Sequence, residues 1–396
     1  MNEIEHIVQG FRASAVAAGL KKNNEQDLAL IFSEREATVA GVFTSNNVKA
    51  APVLLCRERV AKGRARAVVC NAGNANACTG ERGMKDALMT ADLVAEELGI
   101  AAEEVLLAST GVIGEPLDTD SIKAAVPGLV AELSPSGIPL AARAIMTTDS
   151  FAKISRFEGR AGDRPYRILG IAKGAGMIMP NMATMLAFIL SDIRIDSATL
   201  QRALLSSVEA SFNRITVDGD TSTNDTVLAM ANGLAGNRAM SDPEQAEFEK
   251  GLQHVTYELA RMIVQDGEGA TKVVDIEVRG AASPQDAINA ARTVANSSLV
   301  KTAFYGRDPN WGRIMAALGR AGIAMKEGDV DILIDDVLIV EMGLGKGPEA
   351  EKKGAERMAR DSFTVTIDLR QGKYRDRITT CDLTHEYISI NADYRS

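Results

Sequence analysis

Lys173-Gly174-Ala175-Gly176-Met177-Ile178-Met179-Pro180-Asn181-Met182-Ala183-Thr184-Met185-Leu186-Ala187-Phe188-Ile189-Leu190-Ser191-Asp192 begins as a glycine-rich turn and ends as an apolar strand. The part before Thr184 holds two glycines, a proline and several methionines, and carries no regular periodicity. The part after it, Met185 to Leu190, is an unbroken apolar run of strand length closed by Ser-Asp, which reads as a buried strand. Between them lies the small junction Ala183-Thr184. A hydroxyl residue at the head of a buried strand, after a flexible approach, suits chemistry on the chain itself. Taken alone, Thr184 is also read as an ordinary β-branched residue in a loop entering a core strand.

Working outward, Tyr166 to Ala172 is a strand feeding this stretch, and 197–211 is an amphipathic helix with Leu200, Ala203, Leu204 and Val208 on one face. The run Phe212 to Asp225 is dense in hydroxyls and carboxylates. A hydrogen-bonded scaffold or a cation site both use such residues, and scaffold is the reading taken because Asp-x-Asp alone is common. Residues 243–263 are helical. Upstream, Leu28–Phe32 and Val39–Phe43 read as a strand pair, and Ala67–Cys70 as a short strand running into a tight loop, Asn71 to Gly80. Met84, Leu88, Ala91, Ala95 and Leu98 mark a helical face, with Gly99 as its stop. Val105–Ala108 is a strand that opens into the loop Ser109-Thr110-Gly111-Val112-Ile113-Gly114, a junction of the kind that presents N–H donors to an oxyanion. Pro139 to Met146 is a helix ending near Thr147-Thr148-Asp149.

Downstream, Asp266-Gly267-Glu268-Gly269 is a turn that presents Glu268 between glycines. Tyr305 to Arg313, which holds the single tryptophan, is a rigid turn leading to a short helix, Arg313 to Leu318, with Gly319 as candidate stop. Strands follow at Ile332–Ile334, Val337–Glu341 and Phe363–Leu369, with a helix near 350–359. The tail from Ile388 to Ser396 reads as a frayed end after a strand.

With 396 residues and 46% hydrophobic content the chain is long enough for a large core, in two domains or in one large domain with an appendage. Aromatics make up only 4%, while glycine and alanine are abundant, a mix that suits closely packed α/β layers. The net charge of −9 argues against nucleic acid or an anionic membrane surface as main partner. No apolar run approaches the ~18 residues of a membrane span, and the acidic start, Met1 to His6, gives no expectation of a signal peptide. Cys56, Cys70, Cys78 and Cys381 have no metal-like spacing, so reduced cytoplasmic thiols are expected. With only His6, His254 and His385, a histidine-rich metal site is not expected. The glycines around Gly174 and Gly343 to Gly347 fit neither a dinucleotide fold nor a P-loop.

Several blocks in order resemble one family, the glutamate N-acetyltransferase/ornithine acetyltransferases of arginine biosynthesis, the ArgJ type. They are Asn71–Asn76, Ser109–Gly114, Met146–Asp149, Lys173–Leu186, Asn213–Asp225, Asp266–Gly269, Tyr305–Arg313 and Asn391–Ser396. The resemblance implies a layered α/β fold, the N-terminal-nucleophile αββα sandwich. It also implies self-cleavage between Ala183 and Thr184 into an α chain, 1–183, and a β chain, 184–396, assembled as a heterotetramer of two of each. Thr184 is the implied nucleophile, Thr110 and Gly111 the oxyanion hole, and Thr147, Lys173, Thr184, Glu268, Asn391 and Ser396 the substrate contacts. The implied reaction moves acetyl from N-acetyl-L-ornithine to L-glutamate through an acetyl-Thr184 ester. No bound cofactor or metal is expected, and acetyl-CoA enters only as a candidate second acetyl donor, since no motif decides the matter. Two other readings compete: a self-processed amide hydrolase or aminopeptidase using Thr184 and water, and a non-catalytic amino-acid-binding protein whose chain stays intact.

Overall fold

The structure is a computed structural model that describes residues 6–179 and 185–393. The chain divides into two compact units, Met1–Asn213 with Asp220–Ile263, and Arg214–Gly219 with Val264–Arg395. Both mix helices with a sheet, so the α/β class expected from composition holds.

The first unit runs β1 (Phe11–Val16), β2 (Leu28–Phe43), α1 (Ala51–Val60), β3 (Arg64–Asn74), α2 (Gly80–Leu98) and β4 (Val105–Val112). It continues with α3 (Thr119–Ala131), α4 (Ile138–Ala144), β5 (Lys153–Ala161), β6 (Arg164–Lys173), β7 (Leu186–Ser191), α5 (Ser197–Ala210), β8 (Thr226–Ala231) and α6 (Asp242–Gln265). Among the described residues its sheet has eight strands in the order β4-β3-β2-β8-β7-β6-β5, with β1 on β2. Local chemistry sets the element ends. Asp118 caps α3 by accepting from Ser121 N–H, Asp196 caps α5 by accepting from Thr199 N–H, and Gly99 ends α2 in the left-handed conformation.

Strand β2 is the backbone of this unit. Its first half pairs with β1 and β3 and its second with β8, with a register break between Phe32 and Ala37. Straight, its 16 residues would span roughly 50 Å. Yet Asn224 donates to the Ser109 carbonyl at 2.8 Å, Ser109 lies level with Asn71, and Asn71 pairs with Leu28. At the other end, Thr44 N–H bonds the carbonyl of Asp225, the residue after Asn224. The two ends of β2 are therefore close, and the sheet folds back on itself at the break. That folding brings the ends of β3 and β4 to the starts of β7 and β8.

Strand β7 is buried along its whole length. Each of its large apolar side chains contributes about 1.5–3 kcal/mol by leaving water. It pairs antiparallel with β6, Leu186 opposite Lys173, and parallel with β8. The expected cut before Thr184 falls in the link between β6 and β7, within this unit, so both expected chains contribute strands to one sheet.

Several expectations are corrected. Leu28–Phe32 and Val39–Phe43 are not a strand pair but one strand; the polar Glu34-Arg35-Glu36 between them is an exposed stretch at the register break. The loops expected from Asn71 and from Ser109 begin later, because β3 continues to Asn74 and β4 to Val112. Asn and Gly disfavour strands, but pairing of Ala72 with Thr110 and Gly73 with Gly111 carries the ladder through them. The buried face of α2 is rotated from the expected one. Ala87, Thr90, Ala91 and Val94 face inward, while Leu88 is 40% exposed. On α5 the expected Leu200, Ala203, Leu204 and Val208 are all buried.

The second unit contains β9 (Val273–Ala281), α7 (Pro284–Ala295), α8 (Ser298–Tyr305), α9 (Trp311–Gly319), β10 (Asp331–Ile334), β11 (Val337–Glu341) and β12 (Leu344–Gly345). It ends with α10 (Pro348–Met358), β13 (Ser362–Asp368), β14 (Tyr374–Cys381) and α11 (His385–Asp393). Its six described strands order as β12-β11-β10-β13-β9-β14. Val274, Ile276, Val365, Ile367 and Phe304 build its core. The tail expected to be frayed is helix α11 up to Asp393, which begins just after β14. Gly319 is the last residue of α9, and the cap position falls on Arg320.

Candidate functional site

Lys173 ends β6 and is 3% exposed, a buried lysine rather than a solvated surface one. Its Nζ donates to Thr147 Oγ1 at 2.8 Å and to Thr110 Oγ1 at 3.2 Å. Asp149 Oδ2 lies 3.9 Å away. Asp149 is the hub beneath these groups. Its Oδ1 accepts from Lys153 Nζ at 2.7 Å and from Gly174 N–H at 2.6 Å, and its Oδ2 accepts from Thr147 N–H at 3.0 Å. Lys153, the first residue of β5, is fully buried. Burial pushes the Asp149 carboxyl up, but the charges of Lys173 and Lys153 and the hydrogen bonds from Lys153 and Gly174 outweigh it and hold it at about 2. The carboxylate thus locks a hydroxyl-and-lysine cluster drawn from the end of β4, the turn after α4, the start of β5 and the end of β6.

At the end of β4, Thr110 is buried and Gly111 has φ of +132°. A Cβ on Gly111 would come within 2.3 Å of the Gly73 carbonyl carbon and 2.5 Å of Asn74 N. β3 and β4 therefore approach each other closely at this point. Asn224 fastens the same region by donating to the carbonyls of Ala75 and Ser109 at 2.6 and 2.8 Å. This is the scaffold role expected for the stretch up to Asp225.

Asp225, between Asn224 and β8, is fully buried. Its Oδ1 accepts from Met185 N–H at 2.9 Å, whereas its Oδ2 has no hydrogen-bond partner among the described residues. Burial pushes its carboxyl well above the usual range, against smaller opposite effects of the Met185 N–H, Thr44 and Lys173. Thr110, Lys173, Met185, Ser222, Asn224 and Asp225, among others, line a crevice too narrow to hold a water molecule.

In the second unit, Glu268 is 8% exposed rather than an open turn carboxylate, and Asn391 on α11 donates to its Oε2 at 2.7 Å. The structure thus joins Thr110, Thr147 and Lys173 in one cluster, and Glu268 and Asn391 in another. Ala183, Thr184 and Ser396 lie outside the described residues. Asp149, Lys153 and Asp225 escaped the sequence reading as site residues. The clue for Asp149 was its place in the block with Thr147; Lys153, at the head of an unrecognised strand, gave none. Among the described residues no group of three or more His, Cys, Asp or Glu is placed to hold a metal ion. Among the same residues no helix is long and apolar enough to cross a membrane.

The sequence matches the model of the ArgJ family over residues 12–396. Arginine biosynthesis bifunctional protein ArgJ of Geobacter sulfurreducens is 53% identical over 391 residues, 98% of this chain and 100% of that protein. The protein of the same name from Syntrophotalea carbinolica is 50% identical over 392 residues, 98% of this chain and 99% of its own. The crystal structure of the ArgJ protein from Bacillus halodurans is 42% identical with a TM-score of 0.50, covering 52% of this chain and 98% of that solved chain.

Proposed function

Because the chain belongs to the ArgJ family, we propose that this acetyltransferase moves the acetyl group of N2-acetyl-L-ornithine to L-glutamate, giving L-ornithine and N-acetyl-L-glutamate. The layered α/β fold of N-terminal-nucleophile type goes with that membership. The observation that carries the proposal is the buried contact of Lys173 with Thr147 and Thr110, since these are positions at which the family resemblance implies substrate contacts and oxyanion stabilisation.

In this reading the chain matures by attack of the Thr184 hydroxyl on the Ala183 carbonyl, and water hydrolyses the resulting ester. The cut supplies what the chemistry lacks. A threonine hydroxyl needs a base, an amide nitrogen cannot act as one, and a free α-amine with a pKa near 7.7–8.0 can. The B. halodurans chain is 98% covered by about half of this one, which supports a two-chain mature form. Thr184 then attacks the acetyl carbonyl while Thr110 and Gly111 hold the oxyanion, one such donor contributing about 2.7–4 kcal/mol. Ornithine leaves with the proton, and the amine of glutamate attacks the acetyl ester. Lys173 pairs with a substrate carboxylate. Glu268, steadied by Asn391, takes an ammonium group. Ser396 completes the set of contacts carried over from the family.

The name bifunctional borne by the relatives supports acetyl-CoA as a second acetyl donor, and we include it, together with a cytoplasmic assembly of two α and two β chains. The test is the intact mass of the purified protein under denaturing conditions, followed by transfer of labelled acetyl. Two species, one ending at Ala183 and one beginning at Thr184, are expected, with labelled acetyl reaching glutamate without release of acetate. A single species of 42.1 kDa, or labelled acetate as the main product, overturns the proposal. Thr184→Ala is expected to remain whole and to transfer no acetyl.

A further inference from the structure

We propose that the first unit carries a binding site for a small organic dianion, of the dicarboxylate or phosphate class, between the loops that follow β7 and β8. Those two strands run parallel and side by side, with Ser191 level with Ala231 at their carboxyl ends. Ligands of α/β sheets gather outside the carboxyl ends of parallel strands, where the loops part. Here Arg194, Ile195, Asp196, Arg238, Met240 and Gln245, among others, line a pocket of about 570 Å³. Small-molecule sites commonly measure about 300–1,000 Å³. The Lys173 cluster lies elsewhere. Lys173 pairs with Leu186 at the start of β7, and the strand from there to Ser191 spans roughly 17 Å. The inference therefore rests neither on the cut nor on acetyl transfer.

Charge and scaffolding single this pocket out. Among the described residues neither the Arg194 nor the Arg238 guanidinium has a hydrogen bond or ion pair. An exposed arginine is ordinary by itself, but the main chains of these two are tied to one buried side chain. Asn237, 3% exposed, accepts from Arg194 N–H through its Oδ1 at 2.8 Å, and its Nδ2 donates to the carbonyls of Arg194 and Arg238, each at 3.0 Å. The loops are joined to each other as well. Ala235 N–H donates to the Asp192 carbonyl at 2.7 Å, and Gly233 N–H to the Ile193 carbonyl at 3.1 Å. Loops already fixed lose less freedom when a ligand binds. The carboxylate on the lining, Asp196, is engaged at the start of α5, where it accepts from Thr199 N–H at 3.0 Å. Two free guanidinia thus face one engaged carboxylate, and each planar fork matches a carboxylate or a phosphate with two hydrogen bonds. Ile195, 7% exposed, and Met240 offer apolar contact to a short carbon stem.

The experiment is a calorimetric titration of the full-length protein at low ionic strength with glutarate, a plain dicarboxylate, and with glycerol 3-phosphate. Saturable binding of one dianion per chain is expected, with a Kd at or below about 1 mM for the better probe. Preference for glutarate assigns the ligand to the carboxylates, and preference for glycerol 3-phosphate assigns it to the phosphates. Arg194→Gln and Arg238→Gln are each expected to weaken binding about 10-fold. Both are expected to melt with the wild type, since the two side chains are exposed. Arg194→Lys and Arg238→Lys, which keep the charge without the fork, recover part of the affinity. If neither probe saturates below about 10 mM, the inference falls. Wild-type affinity in the double variant Arg194→Gln/Arg238→Gln overturns it too, because the dianion then sits elsewhere. Loss of that affinity in Lys173→Ala alone would place the dianion in the Lys173 cluster and likewise overturn it.

Discussion

Asp149 and Asp225 are both buried carboxyls of the first unit, and Lys173 acts on both, yet the two are driven in opposite directions. Asp149 is surrounded by Lys153, Lys173, Gly174 N–H and Thr147 N–H and is held ionised. Asp225 has one N–H from Met185 and an oxygen unpartnered among the described residues, and is pushed toward its neutral form. Burial is common to both, so it is the number and charge of the partners that decides. One carboxylate stores its bonds within the fold. The other holds Met185 N–H with one oxygen alone.

The largest effect expected from this difference is on stability. Asp149→Ala leaves the fully buried Lys153 and the nearly buried Lys173 without their carboxylate. Breaking a buried pair from one side costs about 3–5 kcal/mol. Urea unfolding is expected to show a loss of this size and Asp149→Asn a smaller one. A loss below about 1 kcal/mol for Asp149→Ala would place the pair among weak surface bridges and break the comparison.

Thr110 belongs to both environments, since it accepts from Lys173 and lines the narrow crevice beside Asp225. Gly111→Ala tests what holds it there. The added Cβ meets main-chain atoms of Gly73 and Asn74 at 2.3 and 2.5 Å, and φ is +132°. A cost of about 2–3 kcal/mol is expected, with acetyl transfer falling further than stability does. Gly114→Ala is the contrast. Its φ is +86° but nothing stands within 4 Å of the added Cβ, so a cost of about 1 kcal/mol is expected. Equal melting points for the two variants would show that the strand approach does not position Thr110.

The pH dependence of stability separates the two aspartates more finely. Asp149 has a folded pKa of about 2, below its ordinary value of 3.8. Its contribution of roughly 2 kcal/mol is present above pH 3.8 and is lost as pH falls toward 2. Asp225 is raised, so its contribution is complete below its ordinary value of 3.8 and is lost as pH rises through its folded pKa. Asp149→Asn should therefore remove the acid-limb dependence, while Asp225→Asn should flatten the decline at higher pH. Unfolding titrations of the uncut Thr184→Ala background, across about pH 2–8, isolate these contributions from the amine that the cut creates. Parallel curves for both variants would mean that the aspartates are not opposed.

The sequence alone disclosed the apolar runs that became β6, β7 and α5, because continuous or 3.6-residue burial is written directly in the side chains. It also marked the blocks that hold Thr110, Thr147, Lys173, Glu268 and Asn391, through the family they resemble. It misplaced the ends of β3 and β4, because Asn71-Ala72-Gly73-Asn74 has the composition of a turn and is extended only by its partners across the ladder. The folding of the sheet along β2 was not legible either; it depends on a register break and on the Asn224 bonds to carbonyls far away in sequence. Lys153 heads β5 and pairs with Asp149 four residues before it, and an isolated lysine in sequence gives no sign of being fully buried.

The smallest expected effect lies in the second unit. Glu268 has the low exposure of a core residue but is met by the amide of Asn391, whose own side chain is exposed on α11. This carboxylate thus resembles Asp149 in burial and not in partnership: no lysine ties it down through the described contacts, and Asn391 also donates to the Tyr387 carbonyl at 3.0 Å. Asn391→Ala is expected to lower stability by less than about 1 kcal/mol, since water replaces the amide at an exposed position. If Glu268 takes the ammonium group of the substrate, the amide fixes the direction of its free oxygen. KM should then rise several-fold while kcat stays near that of the wild type. A fall in kcat with KM unchanged would instead give Asn391 a part in the reaction step, and would tie the second cluster to the chemistry as closely as the one around Lys173.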